Sequence, residues 1–275
     1  MYSWNLKGKV RIIEKPLVMG ILNITPDSFY VGSRLLPGSN WFLAAEKMVA
    51  DGVDILDIGG QSTRPGSERI SADEELERII PVIENLSRHF PDTILSVDTY
   101  QSKVAREAVS AGASMVNDIS GGEMDPNMLK EVGGLSVPYI CMHMQGQPEN
   151  MQKAPIYEDV VSEVLNYFLR KNVECLDAGI HDLIFDPGFG FGKTIDHNFK
   201  LLHNLGVFKI TGFPIIAGLS RKSTVYKTLG IKPEEALNGT TVLNTIALMQ
   251  GADILRVHDV KEAKEAIKLV GAFKL

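Results

Sequence analysis

Only two of the 275 residues are cysteine, and Cys141 and Cys175 form neither a metal-ligand nor a redox spacing. Cys141 lies in an apolar run and Cys175 in a helical pattern, so both are expected as buried free thiols. Basic residues are also in deficit: 28 Lys and Arg against 34 Asp and Glu give a net charge of −6. That balance argues against nucleic acid as a partner, because such a protein needs a basic face. A binder of anionic small molecules needs only a few local cations, which the chain has. No apolar run reaches the length of a membrane span, and the opening MYSWNLKGKVRI has no apolar signal core, so a cytoplasmic location is expected. Linkers, low-complexity stretches and a convincing Ser-His-Asp or Cys-His set are missing as well.

What is present is a repeat of strand and helix. Apolar runs of strand length fall at Leu17–Leu22, Val53–Ile58, Ile94–Val97, Ser114–Val116, Val137–Met142, Leu183–Phe185, Pro214–Ala217 and Ile254–Val257. Helix-period segments separate them: 42–50, 72–89, 102–111, 126–132, 157–176, 198–205, 233–250 and 261–270. Ser71 and Glu74 make a capping-type entry to the second, and Val160, Val161, Val164, Leu165, Phe168 and Leu169 form one stripe of the fifth. Eight strand-helix units in one chain predict an α/β fold, a single-domain (β/α)8 TIM barrel over residues 17–275 after an N-terminal extension at 1–16. A doubly wound open sheet is the competing arrangement at this point.

In such a barrel the active site lies at the C-terminal ends of the strands. Those ends offer Asn23; Asp57, then Gln61, Thr63 and Arg64; Asp98; Asn117 and Asp118; Met142 and His143; Asp186; Ser220, Arg221 and Lys222; and Arg256 and His258. One rim carrying carboxylates, carboxamides and cations suits a ligand with a polar heterocycle at one end and an anionic group at the other.

The segments GILNITPDSF (20–29), DIGGQSTRPG (57–66), SVDT (96–99), VNDISGG (116–122), MHMQG (142–146), DPGFGFGK (186–193), SRKS (220–223) and RVHDV (256–260) together resemble the signature set of the dihydropteroate synthases. They run in family order over nearly the whole chain. The resemblance implies a transferase of folate biosynthesis that joins 6-hydroxymethyl-7,8-dihydropterin pyrophosphate to p-aminobenzoate, giving 7,8-dihydropteroate and pyrophosphate by a dissociative, SN1-like route. It further implies Mg2+ with the pyrophosphate, a homodimer, and competition by sulfonamides at the p-aminobenzoate pocket; with no membrane-length run, no membrane partner is expected.

By the same resemblance Asp98, Asn117, Met142, Asp186, Phe191 and Lys222 bind the pterin. Asn23, Arg64, Arg256 and His258 hold the pyrophosphate, with Asn23 also on the metal, and Phe29, Thr63, Pro65, Phe191 and Ser223 form the p-aminobenzoate pocket. Asp98, Arg256, His258 and Lys222 are the catalytic candidates. The chemistry is reasonable: a carboxylate accepts two N–H bonds from a 2-amino-pyrimidinone edge, and a fixed carboxylate stabilises positive charge developing on the ring. Arginine forks onto phosphate oxygens, and Mg2+ takes oxygen ligands. Each residue also has a plainer reading. Asp186 could bond loop amides, Asp98 could cap the next helix, Met142 could be core, Arg64 a solvated cation, and His258 a donor to a nearby carbonyl.

DPGFGFGKT resembles a phosphate loop, but Pro187 stands where a glycine would be needed, which argues against an ATPase. Tyr30-Val31-Gly32 departs from the family, which commonly has an acidic residue at the position of Val31. The alternatives to the synthase are a pterin-binding methyltransferase domain, a non-catalytic pterin-binding paralogue, and a Schiff-base aldolase using Lys222.

Overall fold

A hairpin that the sequence patterning does not announce begins the chain: β1 (Tyr2–Leu6) pairs antiparallel with β2 (Lys9–Ile13). Lys7 and Gly8 both have positive φ, 54° and 87°, the two-residue turn whose twist matches a hairpin. Its inner face carries Trp4 and Ile13, which pack beneath the sheet against Ile55, Ile94, Ile140, Ile184 and Ile254. The hairpin is therefore the floor of the molecule. Asn5 N donates to Asp182 Oδ2 at 2.6 Å and fastens it there. The computed structural model describes residues 1–24, 40–61, 69–147, 151 and 155–273.

Eight parallel strands follow: β3 (Leu17–Asn23), β4 (Ile55–Gly59), β5 (Ile94–Asp98), β6 (Met115–Asp118), β7 (Tyr139–Met142), β8 (Leu183–Asp186), β9 (Ile216–Ala217) and β10 (Ile254–Val257). Their order is β8-β7-β6-β5-β4-β3-β10-β9. A parallel bridge between Phe185 and Ile215 joins the two ends, with Phe185 N donating to Pro214 O at 3.0 Å, so the sheet closes into a barrel. This settles barrel against open sheet.

Around it lie α1 (Asn40–Ala50), α2 (Ala72–His89), α3 (Ser102–Ala111), α4 (Met128–Leu135), α5 (Val160–Asp177), α6 (Ile195–His203), α7 (Ser223–Leu229), α8 (Leu237–Met249) and α9 (Val260–Phe273). α2 starts as its sequence dictates, with Ser71 Oγ accepting from Glu74 N at 3.2 Å. The expected helix over 233–250 is instead a 3-10 turn at Pro233–Glu235 followed by α8, and α7 is an additional short helix. Cys141 and Cys175 are buried free thiols. Among the described residues no helix is long and apolar enough to cross a membrane.

Side-chain alternation along each strand then separates floor from mouth. The outward-facing set, including Val18, Leu56, Val97, Val116 and Phe185, packs under the helices in one large core. The inward positions change character with height. Ile55, Ile94, Met115, Ile184 and Ile254 belong to the floor. Two residues further along the same strands stand Asp57, Ser96, Asn117, Asp186 and Arg256. One strand period thus turns an apolar floor into a polar mouth.

Candidate active site

The mouth is organised by one guanidinium. Arg256 on β10 donates from Nε to Asp57 Oδ2 at 2.7 Å and from a terminal nitrogen to Asp98 Oδ2 at 2.6 Å. Asn117 Nδ2 adds a third contact, to Asp57 Oδ2 at 3.0 Å. Asp57 and Asp98 are 1% and 7% exposed, so water cannot solvate their charge and the arginine is their counter-ion. Burial still pushes Asp98 up to about 7, against the pull of Arg256 and with the push of Asp57. The same pair of carboxylates, outweighing burial, raises Arg256 above its ordinary range. Asp57 Oδ1, Asp98 Oδ1 and Ser96 Oγ are buried with no hydrogen-bond partner among the described residues. Three unsatisfied polar atoms on the neighbouring strands β4 and β5 cost stability and mark a place suited to polar groups.

Asp186 ends β8, and its carboxylate is again raised by burial, countered first by Lys222. One oxygen accepts Gly188 N at 2.7 Å, so the loop-amide reading holds for Oδ1. Lys222 is the residue before α7; its ammonium donates to Phe189 O and stands 4.8 Å from the centre of the Phe191 ring. Burial lowers it to about 8, with Asp186 opposing. Beside them Met142 packs with Tyr100 and Ile119, and Phe191 with Met124 and Met144 lines the same apolar patch. The mouth therefore sets carboxylates and a carboxamide beside an apolar patch.

Asp98 is not a helix cap: the position before α3 is Gln101, and Asp98 is committed to Arg256. Asn23 ends β3, opposite Gly59 in register. A Cβ on Gly59 would lie 3.5 Å from Asp98 Cβ and 3.6 Å from Asn23 Oδ1, so the glycine leaves a cradle between the two. His258 follows β10 with an exposed side chain, and its amide donates to Ser220 Oγ at 3.2 Å. Ser223 is the first residue of α7 and half-buried. Phe29, Val31, Thr63, Arg64 and Pro65 lie outside the described residues. No group of three or more His, Cys, Asp or Glu able to hold a metal occurs among the described residues.

Several supporting residues carry no role in the sequence reading. Asp57 lies two positions below its strand end yet anchors the network. Asp118, next to Asn117, points outward by strand alternation. It accepts from Ser120 N, Ser120 Oγ, Gly122 N and Tyr139 Oη at 2.7–2.8 Å, bracing a loop and not the cavity. Arg221 holds a left-handed backbone (φ 53°), a strained choice for a residue with a Cβ. Its guanidinium forks onto Asp259 at 2.9 Å on both sides, tying the segment of Lys222 to that of Arg256 and His258. An arginine beside the site lysine was visible in SRKS; its partner was not. Glu75 on α2 accepts from Thr99 Oγ1 at 3.2 Å and Gln101 Nε2 at 2.7 Å, bracing the turn after Asp98.

Comparison with known proteins places this arrangement. The profile described as pterin binding enzyme matches residues 19–258. The chain is 44% identical over 262 residues to the dihydropteroate synthase of Escherichia coli (strain K12), covering 94% of this chain and 92% of that protein. Its structure is similar to that of the Yersinia pestis dihydropteroate synthase with a sulfonamide drug complex, at a TM-score of 0.92, 41% identity and 99% coverage of both chains. It is also similar to the Xanthomonas albilineans dihydropteroate synthase with 4-aminobenzoic acid, at a TM-score of 0.90 and 39% identity, covering 99% of this chain and 98% of that one.

Burial raises Glu75 from 4.5 to about 7. Between those values the folded protein holds more protons than the unfolded chain, so this group's stability contribution is lost as pH rises through the window. Glu75→Gln keeps an oxygen for Thr99 and Gln101 and removes the charge. Urea denaturation should give matching midpoints for variant and wild type near about pH 4 and a higher midpoint for the variant near about pH 8. A variant no more stable at the higher pH would contradict the assignment.

Proposed function

The chain belongs to the pterin-binding enzyme family, among the dihydropteroate synthases, and from that premise we propose how its barrel mouth joins dihydropterin-methyl pyrophosphate to p-aminobenzoate. The observation that carries the reading is the Arg256 fork on Asp57 and Asp98, beside Asp186, Asn117 and Lys222. It supports a site in which buried carboxylates face the cationic ring as it forms and cations meet the departing anion.

The pyrimidinone edge is read by the remaining oxygen of Asp186 and by the Asn117 carboxamide, with Lys222 donating to the ring carbonyl side and Met142 and Phe191 as walls. Breaking the C–O bond leaves its electron pair on pyrophosphate and positive charge over the dihydropterin. Asp98 stabilises that charge because its carboxylate is already fixed and desolvated. Arg256, His258 and Arg64 take the departing anion. The neutral arylamine attacks the methylene carbon, the new C–N bond forms, and the nitrogen releases its proton to solvent. The benzoate end belongs to Ser223 with Phe29, Thr63 and Pro65. No strong general base is required, since an arylamine is nucleophilic without one.

Mg2+ fits this site only in company with its substrate. The Asn23 carboxamide oxygen beside the Gly59 cradle would hold the ion, a hard oxygen donor of the kind that Mg2+ prefers. When bound it neutralises charge on the leaving group.

A homodimer is part of the proposal. Val242, Ile246 and Met249 on α8 and Leu229 on α7 are 39–54% exposed apolar side chains, a surface suited to a second copy. Light scattering should give twice the 30.2 kDa chain mass; the mass of a single chain would refute it.

Purified protein with Mg2+, dihydropterin pyrophosphate and p-aminobenzoate should release pyrophosphate and dihydropteroate in equal amounts. Pterin binding without either product would refute the synthase reading. The rate should also follow two of the site's groups. Asp98 must be ionised and titrates near about 7, while Lys222 must be protonated and loses its proton near about 8. kcat/KM is therefore expected to fall on both sides of a narrow optimum between those values, and a flat profile across them would contradict the two roles.

A further inference from the structure

DPGFGFGK ends in a lysine that the proposed chemistry does not use. In a phosphate loop that lysine would reach for an anion. Here it turns the other way. Lys193 is 3% exposed, and its ammonium meets four acceptors: Gly188 O at 3.1 Å, Phe191 O at 3.0 Å, His143 O at 3.2 Å and His143 Nδ1 at 3.0 Å. In its ammonium form Lys193 has three donors and no acceptor, so the imidazole nitrogen is then the accepting partner. Burial and the lysine's own charge hold His143 down to about 2, which keeps its ring neutral for that purpose. The ring is wedged edge-on against Tyr167, with centroids 4.9 Å apart, and cannot turn away without losing that contact.

The contacts join two segments. Gly188 and Phe191 belong to the loop after β8, and His143 follows β7. The loop is pressed onto its neighbour so closely that a Cβ on Gly188 would fall 2.0 Å from His143 O, and one on Gly192 would fall 2.3 Å from Gln145 O. Both glycines have positive φ, 68° and 60°, so no other residue replaces them without strain. This loop carries the three groups that the pterin site takes from it: Asp186 at its start, the Phe189 carbonyl that receives the Lys222 ammonium, and the Phe191 ring beneath that ammonium. When protonated, Lys193, like Lys222, favours the ionised form of Asp186, while burial lowers Lys193 itself to about 7.

We propose that Lys193, received by His143, is a positioning residue that fixes the 186–193 loop in its pterin-binding shape. It touches no reacting atom. It acts through Asp186, Phe191 and the Phe189–Lys222 bond, so its removal weakens pterin binding first. The inference rests on the synthase reading and specifies what holds the pterin site of that reading in place.

The test is Lys193→Met, which keeps the length and apolar stem and removes the donors. The dissociation constant of dihydropterin pyrophosphate should rise at least tenfold, while kcat at saturating substrate falls by a smaller factor. A merely structural lysine would lower the melting temperature and the active fraction and leave that dissociation constant within twofold of wild type; that result would overturn the proposal. His143→Phe, which keeps the ring against Tyr167 and removes the accepting nitrogen, decides the matter if Lys193→Met does not fold. It should raise the same constant severalfold, and an unchanged constant would overturn the proposal. Wild-type protein that neither binds nor converts dihydropterin pyrophosphate would refute the parent reading instead.

Discussion

Two carboxylates buried at the mouth of a barrel can stay ionised only if a cation is buried with them, and Arg256 is that cation. It reaches from β10 to Asp57 on β4 and Asp98 on β5, bridging strands that are not neighbours in the sheet. Removing it would leave both acids desolvated and adjacent, and burial with mutual repulsion would then protonate at least one. The partner of Asp57, the carboxamide Asn117, takes its orientation from the same network. Most of what the site can recognise follows from this contact.

The rest of the fold supplies what the contact needs. Parallel strands give each inward residue a fixed height, so Ile55 and Asp57 on β4, or Ile254 and Arg256 on β10, stand one strand period apart. Trp4 and Ile13 close the floor and keep water from entering below the charges. Above, charged side chains brace the loops: Arg221 pairs with Asp259, Lys193 donates to the carbonyls of its loop, and Glu75 accepts from Thr99 and Gln101. Charge governs the mouth and apolar burial governs the floor.

The barrel was legible because eight apolar runs alternate with helical periods, and α2 and α3 begin and end as their sequences indicate. The hairpin was not legible. β2 puts Val10 and Ile12 on its exposed face, 74% and 62% accessible, so its apolar pattern points away from the core it serves. Asp98, Asn117, Asp186, Lys222 and Arg256 were legible as strand-end residues, and the structure brings them into one mouth. Asp57 was named among the strand-end residues but given no role, because its partner Arg256 lies on a distant strand and that relation leaves no spacing in the sequence. Lys193 and Asp259 were hidden in the same way. Their partners are a set of carbonyls and an arginine on another loop, and neither relation leaves a spacing in the sequence.

The most direct check is a carbon NMR titration of the Asp98 carboxyl in wild-type protein and in Arg256→Met. Titration is expected near about 7 in the wild type and at a higher pH in the variant, where the counter-ion has been removed. Titration near the ordinary value of about 4 in both proteins would contradict a desolvated carboxylate held by Arg256.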